Sequence, residues 1–477
     1  MGKVKIICTI GPSSSSIGIQ RELIQSGMNV ARLNFSHGTY EEHEAVINQL
    51  KLVREETGKN IGILQDLSGP KIRVGDIPGD GVQLEDNQYI RLSQGGSYRE
   101  GKIPVIPVNY PYLLKDISEG ARILLDDGLL SLQNEKKEEN ALYCRVTHGG
   151  LLKSHKGVNF PDDTLSLRAP TEKDLKDLKF GIEHGVDFVA LSFVQRADDI
   201  VKLKREIERL SGNVSIIAKL ERSMAIKNLE NIIDVSDGVM VARGDLGIET
   251  EISMIPIYQK QIVRKANLHG IPVITATQML DSMIRNPIPT RAEVTDVANA
   301  IYDGSDAIML SGETASGRYP VEAVKMMRRI ADHVEENLGI DRNWVRGEEE
   351  YLEVTGEAAV ASAVCKTAKN LNAKMIVAQT ISGKTARLIS MYRPQTQIVA
   401  VTPLESTYRK LSLDWGVETI LLPGMEEDFL ETVKKTEKEL LYRGMAKKGD
   451  LIVISAGIPA ARAGGTNLLK VHVLGQQ

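Results

Sequence analysis

Cysteine is scarce in this chain: there are three in 477 residues, Cys8, Cys144 and Cys365. An odd, widely spaced set does not build a disulfide framework, and it points to a reducing compartment. An excess of one charge is lacking too. Lys and Arg total 59 against 63 Asp and Glu, a net charge of −4, so no nucleic-acid surface is expected, although a local basic pocket for an anionic metabolite is compatible with it. No apolar run approaches the roughly 18 residues a membrane helix needs. Met1-Gly2-Lys3-Val4-Lys5 opens into Ile6-Ile7-Cys8, too short for a signal-peptide core. The expectation is a cytoplasmic protein with no membrane or nucleic-acid partner. Its length exceeds what one hydrophobic core serves, so about two to four domains are expected.

Strand-like runs alternate with helix-length amphipathic stretches. The runs are Val4–Thr9, Met28–Leu33, Gly62–Leu64, Asp187–Leu191, Ser215–Ala218, Gly238–Val241, Pro272–Ala276 and Ala307–Leu310. Eight such repeats suit a closed (β/α)8 TIM barrel, an α/β fold whose chemistry sits at the strands' C-terminal ends. An open doubly wound sheet would give similar local signals. Polar clusters at the end of nearly every strand, as if converging on one mouth, favour the barrel. The alternation breaks between roughly Pro70 and Ser166, a stretch rich in glycine and proline with short β-like pieces. It reads as a small β domain, a β-barrel lid, inserted after the third strand. Residues 336–355 are charged and weakly patterned, as a linker is. Beyond them a second α/β unit is expected, with strands at Met375–Ala378, Ile398–Val401, Thr419–Leu422 and Leu451–Ser455. The resulting division is 1–69 with 166–340 for the barrel, 70–165 for the lid and 341–477 for a C-terminal domain.

Two runs end in acids: Ile216-Ile217-Ala218-Lys219-Leu220-Glu221 and Val239-Met240-Val241-Ala242-Arg243-Gly244-Asp245. Two carboxylates at neighbouring strand ends, with Lys219 beside one of them, suit a divalent cation next to a phosphate. Mg²⁺ often needs only one or two carboxylates plus substrate oxygens. Strand two ends Arg32-Leu33-Asn34-Phe35-Ser36-His37, where an arginine can grip a phosphate bidentately. Strand three ends Asp66-Leu67-Ser68-Gly69-Pro70-Lys71-Ile72-Arg73, adding one carboxylate and two cations. Thr277, ending strand seven, is placed to face the same pocket, and the turn at Gly244 before a helix suits a substrate carboxylate. Any one of these taken alone also reads as a solvated strand end or a simple turn.

Together, Ala31–Gly38, Ile216–Arg222, Val239–Glu249, Ala276–Met283 and Leu310–Thr314 resemble the signature segments of the pyruvate kinase family, and the resemblance runs along effectively the whole chain. It implies phosphoryl transfer from phosphoenolpyruvate to ADP, giving pyruvate and ATP, in a homotetramer. Lys219 would stabilise the phosphoryl group in flight while Arg32 grips its oxygens and Arg73 reaches it from the lid. Glu221 and Asp245 would hold Mg²⁺ or Mn²⁺. Ala242, Arg243, Gly244 and Asp245 would frame the substrate carboxylate beside Thr277, which would help protonate the enolate through water. Arg32, His37 and Lys156 would contact the nucleotide.

One departure from the family pattern bears on cofactors. Many members bind K⁺ through the equivalents of Asn34, Ser36 and Asp66 and the next carbonyl, and carry Glu where this chain has Lys71 and Thr where it has Leu67. A fixed ammonium at Lys71 is expected to replace the ion, so that K⁺ is not required. In the C-terminal unit, Thr380-Ile381-Ser382-Gly383-Lys384-Thr385 lacks the leading glycine of a P-loop but has the hydroxyls, glycine and lysine that suit a phosphate at a helix start. By resemblance it is an effector phosphate loop facing the glycine-rich Ala456–Asn467. Two rivals stand beside this reading: a Mg²⁺-dependent carbon–carbon lyase on a similar barrel, and an inactive metabolite sensor. The lyase would not need Arg32, Arg73 and Lys156 around a phosphoryl group, and the sensor would not need to keep Lys219, Glu221 and Asp245.

Overall fold

The computed structural model describes residues 2–161, 163–337, 355–425, 428–458 and 465–476. Eight parallel strands close into a barrel: β1 Lys5–Ile10, β2 Val30–Asn34, β3 Gly62–Leu67, β4 Phe188–Leu191, β5 Ser215–Leu220, β6 Gly238–Ala242, β7 Val273–Ala276 and β8 Ala307–Leu310. Each pairs with its sequence neighbours, and β8 returns to β1 with Lys5 opposite Ala307. The strands are buried along their length, as parallel strands covered on both faces must be. Ile7, Val30, Leu64, Phe188, Ile217, Met240 and Ile274 fill the interior, while a larger apolar shell packs the outer helices. Several helices start from capping boxes readable in the sequence: Thr39 with Glu42, Thr171 with Asp174, Thr290 with Glu293.

The lid follows β3 and has its own core, from Ile72 to Leu165. Its six-stranded sheet runs from Val158–Asn159 at one edge to Val105–Val108 at the other. Single bridges join Arg73 to Gly157 and Val74 to Val108, so this segment links both edges and closes the sheet on itself. Closure removes the unpaired edges that an isolated sheet would expose.

The C-terminal domain is a five-stranded sheet ordered Val417–Leu421, Gln397–Thr402, Met375–Gln379, Leu451–Ala456 and Leu468–Val473. Separate apolar clusters cover its two faces, the mark of a doubly wound sheet. Its last strand is antiparallel and half-exposed, and the sequence reading missed it because it lacks a buried apolar run. The domain docks under the barrel. Leu413 joins the barrel's interior cluster, Lys5 Nζ donates to the Val417 carbonyl at 2.7 Å, and Arg393 pairs with Asp306 at 2.8 Å. Most of the expected linker, and residues 459–464 of the glycine-rich loop, lie outside the described residues.

Candidate active site

The C-terminal ends of β1 to β7 converge on one charged cluster. Asp66, at the end of β3 and 1% exposed, is its hub. Arg32 Nε and Nη2 each approach Asp66 Oδ2 at 2.7 Å, and Arg32 Nη1 donates to Thr9 Oγ1 at 2.9 Å. Lys219 Nζ lies 3.2 Å from Asp66 Oδ1 and 2.9 Å from Glu221 Oε1, and donates to Ser192 Oγ at 2.7 Å. Four side chains from the ends of three strands, β2, β3 and β5, thus meet in one buried place: Arg32, Asp66, Lys219 and Glu221.

Their protonation follows from who touches whom. Burial alone would lower the Lys219 ammonium, but Asp66 and Glu221 outweigh it and hold the lysine well above its ordinary range. Burial alone would raise Asp66, but Lys219 and Arg32 outweigh it and hold the carboxyl low. Glu221 goes the other way. Its burial, reinforced by the charges of Asp245 and Asp66, pushes the carboxyl up despite Lys219. One oxygen, Oε2, accepts the Phe193 N–H at 2.6 Å. The other, Oε1, is fully buried and accepts no well-aligned hydrogen bond, although Lys219 is near.

Glu221 thus faces Lys219 on one oxygen and feels the charge of Asp245 from the next strand end, and a divalent cation between the two carboxylates would relieve that repulsion. Among the described residues no three His, Cys, Asp or Glu side chains gather into a self-sufficient metal site. A pair of carboxylates suits Mg²⁺, which often needs only one or two from the protein and takes its other oxygens from substrate and water.

Around the hub the remaining expected residues fall into three groups. Lys71 is exposed and donates to Ser36 Oγ at 2.9 Å, and the Asn34 side chain accepts the Ser36 N–H at 3.1 Å. Burial and the charge of Lys219 lower Lys71, while Asp245, Glu221 and Asp66 oppose this, so the ammonium stands within the cluster's field. Solvent screens that depression. His37 is lowered by burial and then by Lys71, Arg73 and Arg32, which brings Arg73 of the lid into the same field. Leu67 is different: its side chain is buried in the shell outside the barrel.

The second group is the turn after β7. Thr277 has φ of 71° and Gln278 53°, left-handed values that are a genuine outlier for a β-branched residue. Arg243 holds the turn, donating to the Thr277 carbonyl at 2.7 Å while Asp296 takes its other nitrogen at 2.8 Å. Its guanidinium is therefore committed to the turn. Thr277 Oγ1 accepts the Gly244 N–H at 2.8 Å and donates to the Ala276 carbonyl at 2.6 Å. A carboxylate binding at the start of the helix Arg243–Glu249, just after Ala242, would exchange for the Thr277–Gly244 bond. The third group stands apart: Lys156 is tied within the lid to Asp126 Oδ1 at 2.8 Å, and its hydrogen bond to that acid raises it.

Sequence reasoning passed over Thr9 and Ser192, both in the hub. The signal was present, since each is a polar residue at the mouth end of a barrel strand. In the C-terminal domain, Gly383 has φ of 86° and opens the helix Lys384–Met391, with Thr380 Oγ1 accepting its N–H at 2.9 Å. Thr385 bonds Thr466 at 2.8 Å, so the two expected loops touch. Ser382 lies in the same turn, and Lys384 pairs with Glu357.

Comparison with known proteins agrees with this geometry. A family model described as "Pyruvate kinase, barrel domain" matches residues 1–324, and "Pyruvate kinase, alpha/beta domain" matches 358–472. The chain is 45% identical to the pyruvate kinase of Geobacillus stearothermophilus, covering 99% of this chain and 80% of that protein. It is 46% identical to that of Staphylococcus haemolyticus, covering 100% and 81%. A crystal structure of a pyruvate kinase from Cryptosporidium parvum superposes with a TM-score of 0.91 at 34% identity, over 99% of this chain and 96% of that one. The chain therefore belongs to the pyruvate kinase family, phosphotransferases that pass the phosphoryl group of phosphoenolpyruvate to ADP and release pyruvate and ATP.

Proposed function

We propose that the cluster at the barrel mouth carries this transfer with Lys219, Arg32, Arg73 and Thr277 as its catalytic residues. The observation that carries the reading is the meeting of Arg32, Asp66, Lys219 and Glu221 in one buried site. Phosphoryl transfer needs positioning and charge neutralisation more than covalent help. Asp66 holds Arg32 and Lys219 side by side as cations, so the shift of a PO₃ unit from the enol oxygen to the ADP oxygen meets fixed positive charge. Arg73 and Lys156 come to the transferred group and the nucleotide from the lid, with His37 beside them. Main-chain groups at Ala242–Asp245 and the Thr277 hydroxyl orient the substrate carboxylate, and Thr277 relays a proton through water to the enolate carbon.

Glu221 and Asp245 would hold Mg²⁺ or Mn²⁺. When bound, that cation neutralises the substrate's oxygens and the developing charge. Lys71 supplies the monovalent charge beside Asn34, Ser36 and Asp66, so the enzyme works without K⁺. Thr380, Ser382, Gly383, Lys384 and Thr385 take the phosphate of a regulatory metabolite, and the enzyme acts as a homotetramer in the cytoplasm. No helix among the described residues is long and apolar enough to cross a membrane, and the three cysteines are free thiols. The lid is residues 70–165, with 341–477 the regulatory domain.

A coupled assay of pyruvate from phosphoenolpyruvate, with and without ADP, tests the reaction. Release independent of ADP would favour the lyase. The K⁺ assignment is tested in sodium- and potassium-free buffer with Mg²⁺, where a large activation by added K⁺ would overturn it.

A further inference from the structure

The lid chain meets the barrel at two crossings, and both reach one turn, Ser192-Phe193. On the way out to the lid, Gly69 has φ of 65°, and a Cβ built there would lie 2.9 Å from Phe193 Cδ2 and from the Ser192 carbonyl oxygen. Only bare backbone fits, so the hinge packs directly on the turn, and Asp174 Oδ1 holds the Gly69 N–H at 3.0 Å. On the way back, Asn159 Nδ2 of the lid donates to Glu249 Oε1 at 2.8 Å. Glu249 is 4% exposed, and its other oxygen faces Arg222 Nη1 at 3.9 Å. The same guanidinium lies over the Phe193 ring, 5.2 Å from its centroid, and its buried Nε has no hydrogen-bond partner.

The turn in turn holds the active site. Phe193 N–H donates to Glu221 Oε2 at 2.6 Å, and Ser192 Oγ accepts Lys219 Nζ at 2.7 Å. Phe193 has φ of 58°, a conformation that surrounding contacts must hold in a non-glycine residue. We infer that Asn159, Glu249 and Arg222 form a latch that transmits the seating of the lid to Glu221, making them positioning residues for the transfer. The inference rests on the proposed role of Glu221. With Asn159 in place, the buried Glu249 carboxylate has a full partner and Arg222 stays over the Phe193 ring. When the lid lifts, that carboxylate draws Arg222 off the ring, because a buried charge left short of partners is costly. The Phe193 peptide then loosens its hold on Glu221, and Lys219 loses a fixed neighbour.

The test uses full-length Asn159→Ala, Asn159→Asp, and the double variant Asn159→Asp with Glu249→Gln. Asn159→Ala lowers kcat about tenfold with the KM for phosphoenolpyruvate within about twofold. It also weakens Mn²⁺ binding, titrated with the metal alone, by about tenfold, as loss of outer-shell support does. Asn159→Asp, placing two carboxylates together, loses more. The double variant, which again sets an amide against a carboxylate, recovers most of that loss, and a general loss of folding would not be repaired so. Unchanged kcat and Mn²⁺ affinity in Asn159→Ala, or no recovery in the double variant, would overturn the latch. If the unsubstituted enzyme made no ADP-dependent pyruvate, the reading of the active site would fail, while the Mn²⁺ titrations would still decide the latch.

Discussion

Two buried lysines sit at opposite ends of the barrel and have opposite fates. Lys219 closes β5 at the mouth, in contact with Asp66 and Glu221, and its ammonium is held well above the ordinary lysine range. Lys5 opens β1 at the floor, where its nitrogen donates to the Val417 carbonyl. Burial there outweighs the more distant Asp414 and Glu418 and brings its pKa down to about 8. Burial is common to both, so it does not explain the difference. A carboxylate in contact does, because it repays the cost of removing the charge from water, and a single carbonyl dipole does not. The mouth keeps a permanent cation for chemistry. The floor carries a charge that titrates near neutrality, in a joint between domains.

Removing the mouth lysine gives the largest break. Lys219→Met is expected to cut kcat by about a thousandfold or more while leaving phosphoenolpyruvate binding largely intact, read by steady-state kinetics beside equilibrium titration. Next is removal of the carboxylate that distinguishes the two environments. Asp66→Asn lowers kcat by about a hundredfold and shifts Lys219 toward the behaviour of Lys5, seen as a fall in activity at alkaline pH that the parent lacks. An unchanged alkaline limb would show that Glu221 alone holds the charge. Lys71→Glu should make activity depend on K⁺, with about tenfold activation by the ion, and an enzyme still indifferent to K⁺ would remove Lys71 from that role.

The smallest effect belongs to the floor. Lys5 has a folded pKa below its unfolded value of 10.5, so the unfolded chain binds more protons between about pH 8 and 10.5. Stability therefore rises with pH across that window. Lys219, with its folded pKa raised, contributes fully below 10.5 and loses that contribution only as pH climbs through its higher folded value. Lys5→Met should flatten the rise between pH 8 and 10.5, be neutral or stabilising by about 1 kcal/mol near pH 7, and leave kcat within about twofold. Thermal melts across pH measure it, and a parent curve flat over this window would contradict the assignment.

Residues whose role follows from local pattern were legible in advance. Buried parallel strands are short apolar runs, and capping boxes announce helices. That is why the run Ala307–Leu310 coincides with β8. Which residues close the lid's barrel was not legible, because the lone bridges at Arg73 and Val74 have no pattern of their own. Nor was the edge strand Leu468–Val473, which has no buried apolar face. In the site, Lys219, Glu221 and Asp245 stood out because charged groups end apolar strands. Ser192 and Thr9 did not, since small hydroxyl residues end strands everywhere.

By itself the sequence determined which residues end up at the mouth: strand periodicity sends each strand's last polar group to the same rim, whatever the distances prove to be. Only the tertiary structure decided which of them touch. Whether a buried lysine keeps its proton turns on a partner within about 3 Å, supplied by a different strand far away in the chain. The same holds for Arg243, which the family resemblance sets beside the substrate carboxylate and whose guanidinium holds the turn at Thr277. Contact across the barrel, rather than spacing along it, sets charge and orientation here.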